Sequence, residues 1–152
     1  MSQKDSGIDL DTSLGYLLKE ASSALRTAME AVLRPLGMTV THYSCLELLA
    51  QRPGLSNSEL ARGAFVTRQS MNVLLQNLER DGYVTRPARA PHGKALPARL
   101  TPSGRKSLAK ATVAVRAVEA RMLAGMTEDE QADAFRALRS MVHSLRARDE
   151  DG

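Results

Sequence analysis

Midway along the chain, Thr67 to Gln76 read TRQSMNVLLQ. Arginine fits the O6 and N7 acceptors of guanine, and asparagine or glutamine the N6 and N7 atoms of adenine. Each makes paired hydrogen bonds to a base edge in the major groove. Serine and threonine hydroxyls bind phosphate oxygens, as does a helix N-terminus through its free N–H groups. If Met71, Leu74, Leu75 and Leu78 face a core, the opposite face of one helix carries Arg68, Gln69, Asn72, Val73 and Gln76. Thr67 and Ser70 lie near its start. This face is polar but almost uncharged. Solubility alone would be served by Glu and Lys, so the composition favours a surface for hydrogen bonding. A plain amphipathic helix is the competing reading of this segment on its own.

A second candidate region is Arg86 to Thr101, RPARAPHGKALPARLT, which holds Arg86, Arg89, Lys94 and Arg99, three prolines and no acid. Residues 56–105 carry eight bases against three acids, whereas residues 1–55 hold five and six, and residues 106–152 eight of each. All the excess positive charge therefore lies in the central third. That is the electrostatic footprint of polyanion binding, although a merely solvated basic surface would share it.

The flanking patterns say what positions these residues. Leu14, Leu17, Leu18, Ala21, Leu25, Met29, Val32, Leu33 and Leu36 recur at helical spacing until Pro35 and Gly37. Thr39 or Thr41 caps a second helix to about Gln51. Ser56-Asn57-Ser58-Glu59 is a capping box opening a short helix to about Gly63, where glycine permits the turn. Ser56 and Asn57 at that helix start are further candidate contacts. Thr67 caps the next helix, which Asp81-Gly82 ends, so the pair forms a helix-turn-helix. Tyr83–Arg86 and Ala98–Thr101 read as two short strands of a hairpin, with Pro97 suited only to an edge. Thr101-Pro102 starts a long helix, and the capping box Thr127 to Glu130 a last one whose Phe135, Leu138, Val142 and Leu145 run almost as a heptad seam. The fold class is mainly α with a small two- or three-stranded β wing. The outer helices are too apolar for a small module to cover, and a second copy of the chain is the simplest partner.

The segment LSNSELARGAFVTRQSMNVLLQNLERDGYVTR resembles the helix-turn-helix and first wing strand of the MarR family of winged-helix transcriptional regulators. Leu100 to Gly104 resembles that family's L-T-x-x-G exit from the wing, and the likeness extends over residues 12–147. It implies a homodimer with interleaved terminal helices, double-stranded DNA with a palindromic operator as partner, and repression relieved by a small molecule or an oxidant. Two identical heads would span half-sites about one DNA turn apart. The domain plan is then a tail at 1–12, one domain at 13–148 and a tail at 149–152. Residues 13–36 and 102–148 dimerise, and 38–101 form the DNA-binding region. The family's wing usually carries an Asp-Arg-Arg-like triplet, and here His92-Gly93-Lys94 stands in its place. Lys94 and Arg89 are candidates to replace the charge and His92 to contact phosphate. Lysine lacks arginine's planar fork, so this wing is expected to hold phosphate more than to read bases.

Other functions fit less well. Cys45 raises a redox-sensing alternative, but it shares a helix face with Leu48 and Leu49 and has no basic neighbour, which favours a buried hydrophobe. Tyr16, His42 and Tyr43 are candidate walls of an effector cleft for a small aromatic acid; a helix-start histidine and packed tyrosines are the plainer reading. A winged helix that binds protein instead of DNA would put acidic or apolar residues where Arg68, Gln69, Asn72 and Gln76 stand. No nucleophile motif, phosphate loop or metal-ligand spacing is present, so neither catalysis nor a metal is expected. Five aromatic residues and no tryptophan leave little to stack a cofactor, and none is expected. One cysteine, a polar acidic start and the lack of any apolar run of ~20 residues point to the cytoplasm, without membrane, secretory or transit segments.

Overall fold

The computed structural model describes residues 7–86 and 97–150. Their order is α1 (Leu14–Leu33), a 3-10 turn (Arg34–Leu36), α2 (Val40–Gln51), α3 (Asn57–Gly63), α4 (Arg68–Arg80), β1 (Val84–Thr85), β2 (Arg99–Leu100), α5 (Pro102–Leu123) and α6 (Glu128–Glu150). The chain divides into two compact units, residues 1–118 and 119–152.

Side-chain caps set most helix starts. Ser13, Thr39, Ser56, Thr67 and Thr127 each accept the backbone N–H three residues on, satisfying a donor the helix leaves free, for about 1 kcal/mol apiece. Ser56 with Glu59 and Thr127 with Glu130 close the reciprocal boxes expected from sequence. Thr39, not Thr41, caps α2, and His42 Nδ1 takes the place of the usual carboxylate by accepting the Thr39 N–H at 3.3 Å. Bonds to Ser56 hold the Glu59 carboxyl below its ordinary range.

The first unit has a main core built from α2, α3, α4, the hairpin and the start of α5, with Leu46, Leu60, Met71, Leu75 and Val84 fully buried. A second cluster joins Leu33 of α1 to Ala111 and Val115 of α5. β1 and β2 pair antiparallel, Val84 opposite Leu100 and Thr85 opposite Arg99. Thr101 ties this hairpin to α5. Its Oγ1 donates to the Gly82 carbonyl at 2.6 Å and accepts the Gly104 N–H at 3.0 Å, while its own N–H donates to the Tyr83 carbonyl. A Cβ on Gly104 would collide with that same Tyr83 oxygen, which explains the glycine at this place in the Leu-Thr-Pro-Ser-Gly run.

Three expectations change. Gly63 remains inside α3 and does not make the turn; it lets α2 approach, since a Cβ there would lie 2.9 Å from Leu48 Cδ1. The turn itself uses Phe65, at φ 60°, an arrangement costing on the order of 1 kcal/mol for a residue with a side chain. The strands are two residues each, shorter than Tyr83–Arg86 and Ala98–Thr101, and α6 runs to Glu150, past the expected boundary at 148.

Candidate nucleic-acid interface

α4 is amphipathic in the expected sense. Met71, Leu74, Leu75 and Leu78 are buried, and Arg68, Gln69, Ser70, Asn72, Val73 and Gln76 are exposed on its other side. Thr67 serves two roles at the start of α4: its Oγ1 accepts the Ser70 N–H and donates to Ser70 Oγ at 2.9 Å. Ser56 caps α3 in the same way and is exposed. Asn57, Arg68, Gln69 and Asn72 line one open cleft of about 450 Å³. The structure thus brings the start of α3 and the first two turns of α4 to a single polar surface.

Arg86 leaves the expected set of free cations. Its Nε donates to Glu79 Oε2 at 3.0 Å and its Nη1 to Asn72 Oδ1 at 3.4 Å, with the side chain only 26% exposed. Asn57 Nδ2 donates to the same Asn72 oxygen at 3.4 Å. Arg99 is exposed on β2, but it shares a separate groove with Leu49, Pro53 and Arg105, none of which lines the Arg68 cleft. Arg89, His92 and Lys94 lie outside the described residues. Glu79 was missed by sequence reasoning, because an acid seven residues before an arginine across a turn has no local signature.

The candidate effector residues are placed differently from one another. Tyr16 is exposed in the first turn of α1. Tyr43 is half-buried and packs against both apolar clusters. His42 is engaged in the α2 cap, and its pKa is lowered by burial, partly opposed by Asp81. Between the end of α1 and the start of α2 lies a cleft of about 480 Å³ lined by Arg26, Glu30, Arg34, Met38, Thr39 and Val40. Sequence reasoning missed this cleft: Arg26 lies in the middle of α1 and Arg34 in the turn after it, and nothing in their spacing marks a shared site. Cys45 is fully buried with Sγ 3.7 Å from Met71 Sδ, and burial pushes its thiol up to about 12. Almost none is thiolate near neutral pH, so the core reading gains and the redox alternative loses its chemistry.

A helix-turn-helix running directly into a paired hairpin, preceded and followed in the chain by longer helices, defines a winged-helix DNA-binding protein of the regulator class. The sequence profile of the MarR family matches residues 36–95. The HTH-type transcriptional repressor Rv2887 of Mycobacterium tuberculosis is 45% identical over 135 residues, spanning 89% of this chain and 97% of that protein. Its structure with salicylic acid superposes with a TM-score of 0.72 at 46% identity, over 86% of this chain and 97% of the other. Its structure with DNA gives 0.70 at 42%, over 86% and 98%. A MarR-family regulator from Silicibacter pomeroyi shares the fold, with a TM-score of 0.80 at 23% identity over 95% and 97%. This chain belongs to the MarR family, a family of transcriptional regulators and not of enzymes.

Proposed function

We propose that this protein is a cytoplasmic repressor that binds a palindromic operator in double-stranded DNA as a homodimer and is released by a small aromatic acid. The observation that carries the reading is the exposed polar face of α4, laid out from Arg68 to Gln76 over a fully apolar opposite face. Arg68, Gln69, Asn72, Val73 and Gln76 would face base edges, and Thr67, Ser70, Ser56 and Asn57 the backbone. Arg89, His92 and Lys94 would hold phosphate from the wing, with Arg99 at its root. Residues 13–36 and 102–148 would form the dimer, supported by the exposed Leu14, Leu17 and Leu18 of α1 and Phe135, Leu138, Val142 and Leu145 of α6. Among the described residues, no helix is long and apolar enough to cross a membrane.

The relative's complexes with DNA and with salicylic acid support both halves of the reading. The cleft beside Thr39 and Val40 suits an aromatic carboxylate, with Arg34 for the charge and Met38 for the ring, and His42 and Tyr43 nearby in sequence. Selection of bound duplexes from a random DNA pool, with and without salicylate, tests it. The expected result is a palindrome with half-sites about 10 base pairs apart, weakened by the acid. Enrichment of no sequence would sink the proposal.

A further inference from the structure

The direction in which Asn72 presents its amide is decided by its neighbours. A guanidinium has donors and no acceptor, so the atom of Asn72 that faces Arg86 must be the carbonyl oxygen. That oxygen also receives Asn57 Nδ2, so both of its acceptor sites are occupied. What Asn72 has left to offer outward is its NH₂ group, on the exposed cleft surface beside Arg68 and Gln69. Arg86 is in turn held from the other side by Glu79 at 3.0 Å, at the C-terminal end of the same helix.

The usual asparagine–adenine pair needs the carbonyl to accept from N6 while the amide donates to N7. Here the carbonyl is already used. Two amide hydrogens instead match the adjacent N7 and O6 acceptors of guanine, which has no major-groove donor. We propose that Glu79 and Arg86 are positioning residues that fix Asn72 as a donor, so that it selects guanine over adenine, against the preference of its residue type. The inference rests on the DNA-reading role of α4 and names one base that this role should favour.

Bound duplexes are selected from a random-sequence pool by the full-length protein and by the Asn72→Ala, Glu79→Gln and Arg86→Lys variants. Asn72→Ala identifies the position that Asn72 reads. At that position the wild type is expected to hold guanine and to discriminate against adenine roughly tenfold. Glu79→Gln, which keeps shape but not charge, is expected to reduce that discrimination to about threefold or less, and to leave the other positions alone. Arg86→Lys keeps the charge but loses the fork that spans both partners, so it should give the same local relaxation even if Glu79→Gln does not fold. A motif with adenine at the Asn72 position overturns the inference, as does unchanged discrimination in both variants, an even loss over all sequences, or no position that responds to Asn72→Ala. A wild type that enriches no motif shows instead that the DNA-reading role itself is wrong.

Discussion

α4 and α1 carry similar proportions of leucine and methionine but use them differently. In α4 the leucines and the methionine are covered within the first unit: Met71 and Leu75 expose nothing. In α1 only Leu33 is buried, and Leu14 and Leu17 are 68% and 57% exposed. One helix completes its environment inside the chain. The other presents an apolar face that monomeric proteins rarely leave open over a large area. The comparison teaches that the head covers its own apolar face, whereas the terminal helices leave exposed a face that a partner would cover. By family resemblance that partner is a second copy.

The largest effect should come from emptying the head. Leu75→Ala removes a fully buried side chain and is expected to cost about 2–5 kcal/mol in urea unfolding. Leu17→Ala, at an exposed site, should leave the fold of a dilute monomer within about 0.5 kcal/mol. Equal losses at the two sites would break the comparison.

The partner face is next. Leu138→Glu places a charge on the exposed stripe of α6, and two-fold symmetry would put it into the interface twice. Dissociation of the dimer should rise on the order of 100-fold, about 2.7 kcal/mol, read by sedimentation with helix content unchanged. An unaltered oligomeric state would mean that α6 does not close the dimer.

A smaller effect sharpens how the wing is anchored. Gly104→Ala forces a Cβ against the Tyr83 carbonyl, and the hairpin or α5 must shift, at a cost of about 1–3 kcal/mol. Because Thr101 binds Gly82 and Gly104 together, the strain should also reach the wing root and weaken DNA binding. Thermal unfolding with parallel DNA titration checks both. A neutral variant would show that the junction yields easily.

What the sequence discloses about this molecule follows the range of the interactions. Ser56 with Glu59 and Thr127 with Glu130 act over three residues, so their caps are readable in the string and occur as expected. The α4 stripe is likewise periodic and local. Phe65 is the contrary case: the left-handed residue falls two positions after Gly63, and Gly63 is instead the residue that leaves room for Leu48, a tertiary approach with no local signature. Arg86 reads as a free wing cation until the turn at Gly82 brings it back to Glu79 and Asn72, a geometry that charge counting does not contain. The proposed dimer face shows in the sequence as surplus apolar pattern, though the pattern alone does not tell a covered stripe from an open one.

The central claim is that α4 reads DNA bases, and Arg68 tests it most directly, being exposed and without an ion pair among the described residues. Wild-type protein and Arg68→Ala should be titrated against the selected duplex and against copies mutated one base pair at a time, at several salt concentrations. The account predicts that Arg68→Ala loses about 1–3 kcal/mol of discrimination at one position per half-site while most of the salt dependence remains. Equal discrimination by the two proteins at every position would contradict it.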